Sequence, residues 1–366
     1  MANVCQEAGN VWIWLGEADS TSDAAIEHIA CLASRDKDVL KYAPASWVWN
    51  SESLAFDRLL GRPRFRRRWV IQEAAFSQRS IMFCGARQLD MSEFVRAVHF
   101  VQYSLEHMSS SLMPLNREIY GLNPLPGFRD SPATRLLDLL SAVFSNLAWE
   151  GQTVLVRRLK LEELVDLAVF CETSDVRDTM FALLGLARDV SGPKKHNEHE
   201  THLEANYGES SMNVFKQFVW HCPIRSRSLD IICRPWAPVS VTAVTPGRQT
   251  YPQFNVILPS WIASRDRLVY GNPSSRTTQC LLGEPLVGRA QKRVYSAHGQ
   301  TTPQISMVHS VGYELFNGIL CTRGVMFGQI YVVSPRMAQA VITRDCSVAL
   351  GGRLDTEHGI HVPQKA

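Results

Sequence analysis

The chain of 366 residues is 45% hydrophobic and 20% charged, and its 38 Lys and Arg against 35 Asp and Glu give a formal charge of +3. That balance excludes wholly disordered, collagen-like and coiled-coil chains, and it gives no charge-based case for binding nucleic acid or a membrane surface. At roughly 150 residues per domain the length suggests about two domains; nine cysteines without a CxxC pair fit a reducing compartment better than a disulfide framework or a zinc ribbon.

The opening MANVCQEAGN lacks a basic stretch followed by an apolar run, and no later window approaches the roughly 20 apolar residues of a membrane span. A soluble, cytoplasmic protein is expected. Residues 11–15, VWIWL, read as a strand buried on both faces of a mostly parallel sheet, with Trp12 and Trp14 in its core. Such a strand needs later strands on both sides, or sequence upstream of Met1. Ser20 to Asp23 supply helix-capping chemistry, and Ile26, Ile29, Ala30 and Ala33 then share a helical face. Residues 41–52 read as an aromatic loop with Trp47 and Trp49, and 53–60 as a short helix stopped by Gly61 and Pro63. A helix over 65–78 and a buried-type strand SIMFCG at 80–85 follow. Two strand–helix alternations indicate an α/β layer.

The apolar period predicts helices over 91–108 and 132–148, the second carrying Leu136, Leu137, Leu140, Val143, Phe144 and Leu147. The Pro-rich stretch 109–131 between them reads as an irregular loop. Two more helices are expected within 159–188, separated near Thr173–Asp175, then a polar crossing SGPKKHNEHETH at 191–202. A helix over 207–221 presents Met212, Phe215, Phe218 and Val219 on its apolar side. Beyond 230, short β-branched runs at 255–258, 305–308 and 325–333 read as β-rich structure with long loops.

The segment GRPRFRRRWVIQEAAFSQRSIMFCG, 61–85, carries the most chemistry. On a helix, Phe65, Trp69, Gln72, Glu73 and Phe76 form one stripe. A glutamate within an apolar stripe either works as a general acid or base in a partly dry cleft or pairs with a neighbouring arginine at the stripe's edge. The second is the commoner case. Arg62, Arg64, Arg66, Arg67 and Arg68 either clamp a phosphate or form a solvated face, and base rates favour the face. Glu17 and Asp19 follow the first strand, where α/β folds place ligands, and equally suit an ordinary turn. His196, His199 and His202 lie in a polar loop without the HExxH pattern, so a solvated loop is preferred to a metal site. Cys84 reads as a buried thiol before a nucleophile. No G-x-S-x-G, Walker loop or dinucleotide fingerprint occurs.

Six stretches taken in order resemble the fungal heterokaryon incompatibility (HET) domain proteins. They are AGNVWIWLGEAD at 8–19, RPRFRRRWVIQEAAFSQRSIMFCGARQLD at 62–90, TSDVRDTMFALLGLARD at 173–189, ANYGESSMNVFKQF at 205–218, LPSW at 258–261 and RGVMFGQIYVVS at 323–334. The resemblance implies an Arg-x-Trp-x-x-Gln-Glu signature on Arg67, Trp69, Gln72 and Glu73, and structural roles for Trp14, Gly16, Arg177 and Asp178. Arg64 stands where the family usually has Trp, and the family's two opening blocks are absent, so the chain resembles a HET domain lacking its N-terminal part. HET domains are similar in proposed fold to TIR domains, a flavodoxin-like parallel sheet, and some TIR domains hydrolyse NAD at a helical glutamate. By that resemblance Glu73 is the catalytic candidate, with Trp69, Arg67 and Gln72 as substrate contacts. NAD is then a substrate, and neither a cofactor nor a metal is called for.

The expected architecture is the latter half of a HET-type α/β domain at 1–90, a helical extension at 91–190 and a mixed, β-rich region at 191–366. The implied role is nonself recognition with induction of cell death, working with protein partners or by self-association. The competing reading is a truncated, non-catalytic adaptor.

Overall fold

The computed structural model describes residues 2–35, 51–107, 127–149, 152–190, 203–238, 258–265, 287–293, 303–308, 319–322, 353–355 and 359–361. The chain divides into two compact units, Met1–Asn197 and Glu198–Ala366. Residues 1–90 and 91–190 thus fall within one unit. The histidines at 196, 199 and 202, the run 325–333 and the aromatic loop expected at 41–52 lie outside the described residues, apart from residues 51 and 52 of that loop, which are helical instead, and 255–258 does so apart from Leu258.

The first unit is a mixed α/β structure. A short helix α1 (Ala2–Glu7) precedes strand β1 (Val11–Trp14), which is followed by α2 (Ser22–Ala33) and α3 (Ser51–Leu60). A 3-10 turn at Pro63–Arg66 leads into α4 (Trp69–Phe76), then β2 (Ser80–Cys84), β3 (Arg87–Asp90) and α5 (Met91–His107). The sheet runs β1-β2-β3, with β1 parallel to β2 from Val11↔Ser80 to Trp14↔Phe83 and β3 antiparallel to β2 from Ile81↔Asp90 to Cys84↔Arg87.

Side-chain alternation places Ile13, Met82 and Cys84 on a buried face, and that face supplies the hydrophobic contribution that holds the layer together. The other face is open. Trp12 keeps 71% and Trp14 47% of its surface exposed, with the Trp12 ring 5.4 Å from Phe83. The expectation of a strand buried on both faces is corrected: β1 ends the described sheet, and an unbroken apolar run does not itself say which face is covered. Helix α2 buries Ala25, Ile26, Ile29 and Leu32, while Ala30 faces solvent rather than the core. Phe65 stacks on Phe94 of α5 at 5.5 Å with rings inclined by only 4°, and Phe56 of α3 lies 6.3 Å from Phe128.

Helix α6 (Pro132–Val143) is capped by Ser131, whose hydroxyl accepts the Thr134 N–H, with Pro132 at its first turn. It stops five residues short of the expected end. Phe144 is extended and opens β4 (Phe144–Trp149), which pairs antiparallel with β5 (Gln152–Arg157). Phe144 and Leu147 fit a period of 3.6, but the β-branched run TVLV in β5 offers a partner strand and pairing wins. Helix α7 (Leu161–Leu167), a 3-10 turn at Ala168–Phe170 and α8 (Asp178–Leu184) complete the unit, at the places the period predicts.

In the second unit α9 (Ser211–Ser226) starts at a Ser210 cap and ends at Arg227 in a left-handed conformation with φ 55. Met212, Phe215, Phe218 and Val219 are buried, and Trp236 packs edge-on against Phe215 and Phe218. The strands described here are three short antiparallel pairs: β6 (Gly288–Arg289) with β7 (Lys292–Arg293), β8 (Ile305–Val308) with β9 (Ile319–Thr322), and β10 (Arg353–Asp355) with β11 (Gly359–His361).

The turn after β1 is held from two sides. Gly16 has φ 109, and Arg62 reaches over it to the carbonyls of Leu15 (3.2 Å) and Glu17 (2.8 Å), the Ser22 hydroxyl (2.9 Å) and Asp19 Oδ2 (3.0 Å). A side chain at Gly16 would lie 3.4 Å from Arg62 Nη1. From the other side Gly85 donates to the Gly16 carbonyl at 3.0 Å. Gly85 has φ 54, and a Cβ there would approach Ala18 Cβ to 2.8 Å. Gly85→Ala therefore combines a strained backbone with overlap, and urea unfolding is expected to show a loss of roughly 1–3 kcal/mol. The Asp19 carboxyl falls from an ordinary 3.8 to about 2, first through the Thr21 hydroxyl, then through the Thr21 N–H, Ser22 and Arg62. A depressed carboxyl stabilises the fold above the unfolded value and loses that contribution as pH falls toward 2. Unfolding midpoints of wild type and Asp19→Asn should differ at pH 5–7 and converge between pH 4 and 2, by a small margin because the group is exposed.

Candidate functional site

The expected single helix over 65–78 is two pieces. Pro63 sets a 3-10 turn, Arg67 is extended at φ −72 and ψ 124, and α4 begins only at Trp69. The break has a tertiary cause. Arg67 forms a lone parallel bridge with Glu172, in which the Arg68 N–H donates to the Glu172 carbonyl (3.2 Å) and the Glu172 N–H to the Arg66 carbonyl (2.6 Å). Two extended residues meeting side by side fix the angle at which α4 enters.

That angle sends Arg68 inward. Its side chain is 2% exposed, with Nη1 donating to the Thr179 carbonyl at 2.7 Å and Nη2 to the Ala168 carbonyl at 2.6 Å. One turn on, Gln72 Nε2 donates to the Ala182 carbonyl at 2.9 Å, and its Oε1 is buried without a hydrogen-bond donor among the described residues. Beside them Trp69 Nε1 donates to Asp178 Oδ2 at 3.0 Å. Two side chains of α4 and that of Arg68 just before it thus bind positions 178, 179 and 182 of α8. Arg177 turns away to make a two-pronged contact with Asp175, at 2.6 and 3.0 Å.

Glu73 lies on the outer side of this seam. Its Oε2 is 2.7 Å from Arg64 Nη2, and each side chain keeps about a fifth of its surface, 19% and 18%. The carboxylate is thus paired with an arginine at the edge of the stripe. Its charge also reaches Cys5 of α1, whose thiol is pushed up by burial first and by Glu73 second. Among the five arginines the solvated-face reading holds for Arg66 and Arg67, whereas Arg62 and Arg64 are partly buried in ion pairs and Arg68 is wholly inside. Asp19 serves the turn through Arg62, and Cys84 is a buried thiol in β2.

The candidate residues therefore fall into three places. Trp69 and Gln72 meet Asp178 and its helix; Glu73 meets Arg64; Trp14 ends β1 exposed, and Gly16 follows it beneath Arg62. Arg67 contributes its backbone and leaves its side chain exposed. Arg68 was not singled out by the sequence reading except as one of a basic run, although its i,i+4 spacing to Gln72 on an apolar helix was the available signal. Among the described residues no cluster of three or more His, Cys, Asp or Glu could hold a metal, and no helix is long and apolar enough to cross a membrane.

A cleft of about 730 Å³ opens at the far end of α4, between Phe76, the β4–β5 hairpin and the segment after α8. Glu73 does not line it. Arg68→Ala should strand two buried carbonyls and lower stability by about 2–5 kcal/mol in chemical unfolding, whereas Trp69→Phe, which loses one hydrogen bond, should cost about 1 kcal/mol.

Neither the curated proteins nor the solved structures contain a match to this chain. A family model does match, over residues 1–73, and it is described as heterokaryon incompatibility protein (HET). The matched stretch takes in β1, α2, α3 and the first residues of α4, and it ends on Glu73. Of the six blocks that resemble the family, it includes the first and the start of the second. Residues 1–73 of this chain are thus similar to part of a heterokaryon incompatibility (HET) domain.

Proposed function

We propose that this chain is a fungal nonself-recognition protein of the HET type that triggers growth arrest or death of the cell, acting in the cytoplasm with protein partners or further copies of itself. The observation that carries this reading is the family match over residues 1–73. The mixed β1-β2-β3 sheet with α2 and α5 is compatible with a flavodoxin- or TIR-like layer, and that likeness motivates the chemical half of the proposal.

The chemistry proposed is hydrolysis of the nicotinamide–ribose bond of NAD, with Glu73 facing the reacting ribose. The C–N bond breaks with its electron pair leaving on nicotinamide. Water then adds to the ribosyl carbon and releases a proton, giving ADP-ribose. Glu73, an acceptor-only carboxylate in contact with Arg64, acts here as an anion that stabilises the cationic ribosyl centre. Trp69, four residues earlier on α4 and half-buried, supplies an aromatic wall, and Arg67 an exposed cation for the pyrophosphate.

Purified protein incubated with NAD is expected to release nicotinamide, measured by chromatography, with Glu73→Gln slowing release by about 100-fold or more. Absence of release, or an unchanged rate in Glu73→Gln, overturns the chemistry. Expression in a fungal host tests the biological role separately: growth arrest is expected, and normal growth at high protein level overturns it.

A further inference from the structure

The cleft at the end of α4 has a lining unlike that of the Glu73 ledge. Its floor is apolar, with Ala75, Phe76, Phe144 and Val156, and Phe76 meets Phe144 edge-on at 5.7 Å. Its cationic side is Arg157, at the end of β5, and Arg188, after α8. Among the described residues neither guanidinium has a hydrogen-bond or ion-pair partner, and no carboxylate lines the cleft. Gln6 and Gln78 complete the rim at exposed positions, with Gln78 Nε2 donating to the Gln6 carbonyl at 3.4 Å.

Two uncompensated guanidinium groups facing one cavity repel each other, and an anion of charge two or more relieves that repulsion while accepting forked hydrogen bonds. A bare inorganic anion would use the cationic side and leave the aromatic floor wet. An acyl chain would cover the floor but bring a single carboxylate to two guanidinium groups. A ligand with a flat apolar body, heteroatoms along its edge and a phosphate tail uses all three surfaces, and about 730 Å³ is of the size of small-molecule sites. We propose that this cleft binds a nucleoside phosphate, at a site separate from Glu73. The phosphates lie between Arg157 and Arg188, the base lies against Phe76 and Phe144, and Gln6 and Gln78 meet its polar edge.

Because Phe76 belongs to α4 and Phe144 to β4, such a ligand bridges the HET segment's last helix and the hairpin beyond it. The inference does not depend on the NAD chemistry proposed above.

Titration calorimetry of the full chain with ADP tests it, with adenosine, inorganic phosphate and palmitate as parallel probes. Saturable ADP binding is expected, weakening as salt is raised, and about tenfold or more tighter than for adenosine or phosphate. Arg157→Ala/Arg188→Ala should weaken ADP binding by about tenfold or more, with the thermal midpoint tracking folding. Arg188→Glu alone, at an exposed position, should do likewise and keeps the test open if the double variant unfolds. Glu73→Gln should leave ADP binding unchanged. The proposal is overturned if ADP does not bind saturably, if adenosine or palmitate binds as well as ADP, if the arginine variants bind normally, or if binding is lost in Glu73→Gln instead.

Discussion

A guanidinium sealed from water forces its surroundings into order, because leaving such a charge without acceptors costs several kcal/mol. Arg68 is that group. Its two terminal nitrogens each find a backbone carbonyl, at Ala168 and Thr179, and those carbonyls belong to two different helical turns. Both must be in place for either bond to form with good geometry. The bridge between Arg67 and Glu172 sets the depth at which the side chain enters, and the bonds from Trp69 and Gln72 to α8 repeat the same register one turn along. The matched HET segment and the helices after it are therefore one packed body along this seam. An arginine suits the post better than a lysine would, since its planar fork reaches two acceptors at once.

Fixing α4 in this way divides its surface. The inner side is spent on structure, in Gln72, Val70 and Ile71 and in Arg68 at its N-cap, all buried. The outer side is left for Glu73 with Arg64. The end of the helix delivers Phe76 to the cleft that Arg157 and Arg188 flank. Charge follows the same division: the carboxylate and the two unpartnered guanidiniums sit in different places, so a substrate drawn to one is not held by the other. Any chemistry at Glu73 must displace or work around Arg64, which occupies one of its oxygens.

The helices at 22–33, 51–60 and 91–107 were legible in the sequence because their apolar period and end signals such as Gly61 and Pro63 act within a few residues; the helix expected over 207–221 was legible by its apolar side but runs 211–226, from a cap at Ser210 that was not read. Three features were not legible, each because a distant partner decides it. VWIWL carries no alternation, so only the presence of helices on one side tells Ile13 from Trp12. The interruption at Arg67 comes from Glu172, which no local pattern announces. Phe144 and Leu147 fit helical spacing, and the TVLV run overrides it by pairing. In the site, Glu73 and its arginine partner could be read as one of two alternatives from spacing. The burial of Arg68 could not, because five arginines in seven residues look alike until one of them meets two carbonyls.

The sheet's connectivity bears on the order in which the unit assembles. β2 and β3 meet across the short turn at Gly85, a closure that costs little chain entropy. β1 pairs with β2 only after α2, α3 and α4 have been threaded between residues 14 and 80, and parallel contacts of that span form slowly. The hairpin is thus the template and β1 the late arrival. In kinetic terms, the chain spends part of its folding time with the edge of β2 and the rings of Trp12 and Trp14 uncovered together. In that interval a second nascent chain competes with β1 for the same edge.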